Sequence, residues 1–130
     1  MAALSDYAEK LLLDWLMTTG SATRPTAWFV ALYTAAPSDS GGGTEVSGGG
    51  YARQSVTFGA AESPGGTTDN TNLVEWTATG AAFGTVTHVG IFDASTAGNL
   101  LWHGALTTSR TVGDGDKLEF AIGSIDLTLA

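Results

Sequence analysis

The segment KLEFAIGSIDLTL, Lys117 to Leu129, decides the fold class. Leu118, Phe120 and Ile122, then Ile125, Leu127 and Leu129, recur at every second position against Lys117, Glu119, Asp126 and Thr128. A period of two places alternate side chains on opposite faces of an extended chain, so two half-buried strands are predicted here, Lys117 to Ile122 and Ile125 to Leu129.

Upstream of it, further strands are predicted over Tyr51 to Phe58, Leu73 to Thr77, Thr85 to Asp93 and Asn99 to Leu106. Turn formers punctuate them, including Pro64-Gly65-Gly66 and Asp114-Gly115, because these residues adopt the dihedrals that tight turns require. Ala27 to Thr34 (AWFVALYT) is apolar on both alternate faces, as in a central strand covered on each side. About seven short strands at this spacing predict one antiparallel β-sandwich, Greek-key or jelly-roll-like, over residues 27–129. Between them, Ala35 to Gly50 is a Gly-rich loop with glycines at 41–43 and 48–50, predicted to be a mobile surface excursion or a partner-ordered arm.

The opening differs in period. Ala8, Leu11, Leu12, Trp15 and Leu16 recur at i, i+3, i+4, i+7 and i+8, one face of a helix. The spacing predicts a helix over 5–19, N-capped by Ser5 and closed by Gly20. So much apolar surface must pack on a sheet or a neighbouring subunit. Leu11, Leu12, Trp15 and Leu16, with Arg53 and the Gly41 to Gly50 arm, are therefore the candidate assembly contacts.

The chain has 130 residues, 43% hydrophobic and 14% charged. That length and composition suit a single folded domain, 1–130. Thirteen acidic against five basic residues, a net charge of −8, repels phosphate and argues against nucleic-acid partners. With no cysteine there is no disulfide framework, thiolate metal site or thiol nucleophile. The N-terminus carries Asp6, Glu9 and Lys10, without a basic n-region or a long apolar h-region, so synthesis in the cytoplasm is expected, and no run approaches the ~20 apolar residues of a membrane span.

Motifs that suggest chemistry lose to simpler readings. Asp39-Ser40-Gly41-Gly42 resembles a protease nucleophile loop, but no strand-turn-helix context supports it. His88 and His103 sit in predicted strands without a third zinc ligand. Asp93, Asp114 and Asp116 fall short of the six or more oxygens of a calcium loop, and Asp114-Gly115 reads as a hairpin turn. Neither metal nor cofactor is predicted. Trp76 and Trp102 are candidates for stacking on a glycan. Arg53 is expected to pair with a nearby carboxylate such as Glu45.

At EVSGGGYARQ (Glu45 to Gln54), GTVTHVGIFD (Gly84 to Asp93) and GNLL (Gly98 to Leu101), the chain resembles short tailed-phage proteins labelled tail fibre or minor tail proteins. FVALYTA (Phe29 to Ala35) resembles that family's "LYVALHTA" stretch, and Gly104-Ala105-Leu106-Thr107 adds to the likeness. The Gly59 to Asn72 loop departs from the pattern. The resemblance implies a non-enzymatic virion component, a tail fibre or tail-tip subunit. Alternatives in the same setting are a capsid decoration protein or a receptor- or carbohydrate-binding module. It also implies assembly with other virion proteins, as a trimer or ring of copies.

Overall fold

The apolar strand is buried on both faces: Val30 and Leu32 enter one core, Ala31 and Tyr33 a second on the opposite face. The computed structural model describes residues 2–129. In chain order they form β1 (Ala2–Leu4), α1 (Asp6–Met17), β2 (Trp28–Ala35), β3 (Thr44–Glu45), β4 (Gln54–Val56) and β5 (Thr67–Asp69). There follow β6 (Val74–Thr77), β7 (Gly84–Phe92), β8 (Leu100–Val112), β9 (Lys117–Phe120) and β10 (Asp126–Thr128). The protein is mainly β, with its helix near the N-terminus and its antiparallel sheets packed together in a sandwich-like arrangement.

The large sheet runs β1-β8-β7-β2-β3, with β4 also paired to β2. Opposed residues of antiparallel strands share a face. Leu32 lies opposite Val89 and Val30 opposite Ile91, so the face of Val30 and Leu32 continues across β7. The pair β6-β9 packs over that face, bringing Val74, Trp76 and Leu118 against Val30, Leu32, Val56 and Val86. A separate pair, β5-β10, is tied on by Asn70, which is fully buried. Its Nδ2 donates to the carbonyls of Asn72 (2.8 Å) and Ala121 (3.0 Å), and its Oδ1 accepts from the Ile125 amide (2.8 Å). Buried polar groups need such partners, so one side chain holds three segments in register.

Several expectations need correction. β8 continues to Val112 instead of ending at Leu106, because Gly84, Thr85 and Val86 pair with Val112, Thr111 and Arg110. Its polar residues Thr107 to Thr111 carried no apolar alternation to mark them as strand. β9 stops at Phe120, and the chain turns with the Ser124 amide donating to the Ala121 carbonyl (3.1 Å), so Ile122 is exposed. The Gly59 to Asn72 loop contains β5.

The Gly-rich segment 35–50 is built in, not a free arm. It holds β3, and Val46 is buried in the main core. Gly43 has φ +74°, and a Cβ there would stand 2.7 Å from the Ala35 carbonyl oxygen, so only glycine permits the return onto β2. The helix is shorter than expected. It ends at Met17, and the C-cap is Thr18 in extended conformation, whose hydroxyl donates to the Asp14 carbonyl (2.7 Å). Gly20 is not its left-handed terminator.

Candidate assembly surface

Ser5 both starts α1 and moors it. Its hydroxyl accepts the Ala8 amide (3.2 Å) as an N-cap and donates to the Leu100 carbonyl, while its own amide donates to the Leu101 carbonyl (2.9 Å). The Asp6 amide donates to the Asp39 carbonyl (2.9 Å). The first turn is thereby fixed to β8 and to the 38–41 turn, and Ala8 is the one buried residue of α1.

Beyond that mooring the helix is poorly covered. Leu11 and Leu12 are half-buried, whereas Leu13, Trp15, Leu16 and Met17 are 60%, 62%, 61% and 72% exposed. Leu16 follows Leu12 at i+4 at the edge of the face of Ala8, Leu11, Leu12 and Trp15, and Leu13 and Met17 flank it at i−3 and i+1 to extend the apolar surface sideways. These side chains form an uncovered apolar patch on a helix that otherwise carries Asp6, Glu9, Lys10 and Asp14. The exposure of Leu13 and Met17 was not read from the sequence because they lie off the periodic face that marked the helix; their hydrophobicity was the available signal.

A second uncovered surface lies where the sandwich opens. The β6-β9 pair covers only part of the large sheet, leaving a groove of about 980 Å³ lined by Val89, Trp102, Leu106, Phe120 and Ile125, with exposed Arg110 and Lys117 balanced by exposed Glu119 and Asp126. Trp102 and Gly104 stand opposite Ile91 and Val89, which puts the groove on the core side of the sheet. Among the described residues, none of α1 lines it.

Arg53 is turned inward, contrary to its expected place at an assembly contact. Nε and Nη2 donate to Glu45 Oε2 and Oε1, each at 2.9 Å, and Nη1 donates to the carbonyls of Ala94 (3.0 Å) and Ala97 (2.7 Å). The guanidinium also lies 3.6 Å from the centre of the Phe92 ring, a cation-π contact. Tyr51 Oη donates to Glu45 Oε2 (2.7 Å) and accepts the Leu32 amide (3.0 Å). Burial opposes ionisation of Glu45 and is the largest single influence, yet the hydrogen bonds from Arg53 and Tyr51 and the charge of Arg53 carry its pKa below the ordinary value. For Tyr51, burial and then the hydrogen bond to Glu45 push the pKa well up. The node fastens the Gly-rich segment to the 93–98 turn; it is structural.

The remaining candidates are dispersed. Trp76 is 3% exposed, with Nε1 donating to the Ala52 carbonyl (2.9 Å) and its ring edge-on to Phe120, so it is a core residue and offers no stacking face. Trp102 is half-buried in the groove, and the two tryptophans make no shared platform. His88 bonds Thr87 Oγ1 (2.8 Å), and His103 Nε2 meets Asp39 Oδ1 (2.7 Å). Asp116 accepts the Gly113 amide within its own turn, Asp114 accepts the Gly80 amide from the β6–β7 connection, and Asp93 accepts the amide and side chain of Asn99. Among the described residues no three His, Asp or Glu side chains converge as metal ligands.

A small β-sandwich with a projecting apolar helix and an open groove is the class of module that fold and surface define. Residues 3–128 match the family described as Podophage GP4 fiber I protein gp80, and the chain belongs to that family. It is thus a tail-fibre structural protein of short-tailed phages, which places it in the virion. No curated protein matches the chain. Among the described residues, no helix is long and apolar enough to cross a membrane.

Proposed function

We propose that this chain is a fibre subunit that acts by protein-protein assembly, without catalysis, and that it joins other subunits, copies of itself included, through α1. The observation that carries this reading is the exposure of Leu13, Trp15, Leu16 and Met17 on a helix moored only at its first turn. Four large apolar side chains exposed to water at one end of a helix cost free energy that a neighbouring subunit recovers. The net charge of −8 supports protein partners over nucleic acid.

The test uses phage carrying Leu16→Glu with Met17→Glu. Both side chains are exposed, so the isolated protein should keep its circular dichroism and melting temperature. Mass spectrometry of gradient-purified particles should then show the wild-type subunit and little of the variant. Equal copy numbers of the two would sink the reading.

A further inference from the structure

Resting on the assembly reading only for the source of the ligand, we propose that the cleft between the start of α1, the 38–41 turn and the second core binds the cationic end of a lysine or arginine side chain presented by a partner protein. The cleft measures about 480 Å³, within the range of small-ligand sites. It shares no lining residue with the groove beside β9, and none of Leu13, Trp15, Leu16 or Met17 reaches it.

The floor is built from the second core. Tyr33, Phe92 and Leu100 line the cleft and pack together. They close over Gly90 of β7, where a Cβ would stand 2.9 Å from Leu100 Cδ1 and 3.1 Å from Tyr33 Cε1, so the bare glycine is what lets the tyrosine ring settle against the strand. Tyr33 is 4% exposed, yet its hydroxyl makes no hydrogen bond among the described residues, whereas that of Tyr51 makes two. No sealed side-chain oxygen or nitrogen among the described residues lacks a partner, so the Tyr33 hydroxyl keeps contact with solvent, and it opens into the cleft that the residue lines. A hydroxyl this deeply set ordinarily has a partner. Here one donor and its acceptor positions are left for whatever enters.

Charge selects the occupant. Asp6 and Asp39 are the charged residues of the lining, and no lysine or arginine joins them. The nearby Arg53 is matched by Glu45, and His103 donates or accepts at one oxygen of Asp39, leaving the other free. The start of α1 contributes about half a positive charge, but its Asp6 and Ala8 amides are already taken by the Asp39 carbonyl and by Ser5, and two carboxylates outweigh it. An apolar floor beneath an acidic rim suits a long basic side chain, whose stem lies on Phe92 and Leu100 while its head stays at the carboxylates. In a chain of net charge −8, a basic partner is also the one that long-range attraction brings in.

The test starts with the isolated full chain at about pH 8, where histidine is ordinarily neutral. Nα-acetyl-lysine methylamide and Nα-acetyl-arginine methylamide are titrated while backbone amide resonances are followed, with Nα-acetyl-norleucine methylamide as the uncharged control. A cationic probe should shift the Gly41, Gly42 and Asn99 amides saturably with a Kd of ~1 mM, and the norleucine derivative should bind at least about tenfold more weakly. Tyr33→Phe should weaken the cationic probe about threefold, the worth of one hydrogen bond, without lowering the melting temperature. Asp6→Asn with Asp39→Asn, which keeps an acceptor for His103, should weaken it by about tenfold or more. Equal binding of the norleucine derivative, or no saturable shift with either cationic probe, would overturn the site. So would a Tyr33→Phe protein that melts lower and binds as before, since the hydroxyl would then be structural. Phage carrying Asp6→Asn with Asp39→Asn should contain fewer copies of the subunit. A full complement would overturn a partner protein as the source of the side chain, while exclusion of Leu16→Glu with Met17→Glu would still uphold assembly through α1.

Discussion

Arg53 and Glu45 form a two-point ion pair, both nitrogen-oxygen distances 2.9 Å, with the arginine side chain 9% and the glutamate 26% exposed. The seven residues between them contain three consecutive glycines, Gly48 to Gly50, so the pair closes a segment with little rigidity of its own. Because Arg53 also holds the Ala94 and Ala97 carbonyls and covers Phe92, its removal loosens two loops at once.

Arg53→Ala should destabilise the fold by about 3 kcal/mol, the lower end for stripping one partner from a buried pair, since Glu45 keeps some contact with water. Arg53→Lys should recover only part of this, because an ammonium lacks the planar fork and cannot bond Glu45 at two points while reaching two carbonyls. Urea denaturation of the three proteins measures both. Full recovery by lysine would show that charge, not geometry, is what matters.

Acid should weaken the same node. The folded-state pKa of Glu45 lies below the ordinary 4.5, so its contribution is present above that value and is lost as pH falls through the folded-state pKa. Glu45→Gln does not titrate. The stability difference between wild type and Glu45→Gln should therefore be constant near neutrality and shrink below pH 4.5. A difference unchanged down to pH 3 would contradict the assigned coupling.

Two tryptophans should respond in opposite ways. Trp76→Ala empties the main core and should cost about 3–5 kcal/mol. Trp15→Ala, on the uncovered helix, should change the monomer's stability by less than about 0.5 kcal/mol and lower incorporation into particles. Thermal melts paired with particle composition separate these effects.

Asn70→Ala should cost about 3 kcal/mol, since it strips partners from the Ile125 amide and from the Asn72 and Ala121 carbonyls. Hydrogen exchange should show the Ile125 amide losing its protection. Asn70→Asp keeps the acceptor but not the donors, so it should be destabilised as well.

Adjacent glycines should differ. Gly49 has φ +60°, and a Cβ would stand 2.5 Å from the Ala81 carbonyl oxygen; Gly48 has φ +80° with open space around it. Gly48→Ala should cost about 1 kcal/mol from the left-handed backbone alone, and Gly49→Ala should cost more because backbone must also shift. Equal losses would mean that the 81–83 segment yields readily.

The mainly β class, the helix after Ser5, the pairing of Arg53 with Glu45 and the turn at Asp114-Gly115 were all legible in the order of residues. Each depends on periodicity or on local chemistry. Polar Thr107 to Thr111 became strand only through pairing with β7, and the Gly-rich segment became ordered only because β2 offers Thr44 and Glu45 an edge and the core takes Val46.

Sequence by itself determined which residues must leave water, because the alternation of apolar and polar side chains is a property of the chain. Tertiary structure alone decided which of them succeed. Trp76 and Trp15 are the same residue type, and Trp15 has the more apolar sequence neighbours, yet Trp76 is enclosed in the main core and Trp15 is left exposed on its helix. That distinction depends on how far one layer extends over another, and no local pattern encodes the distance.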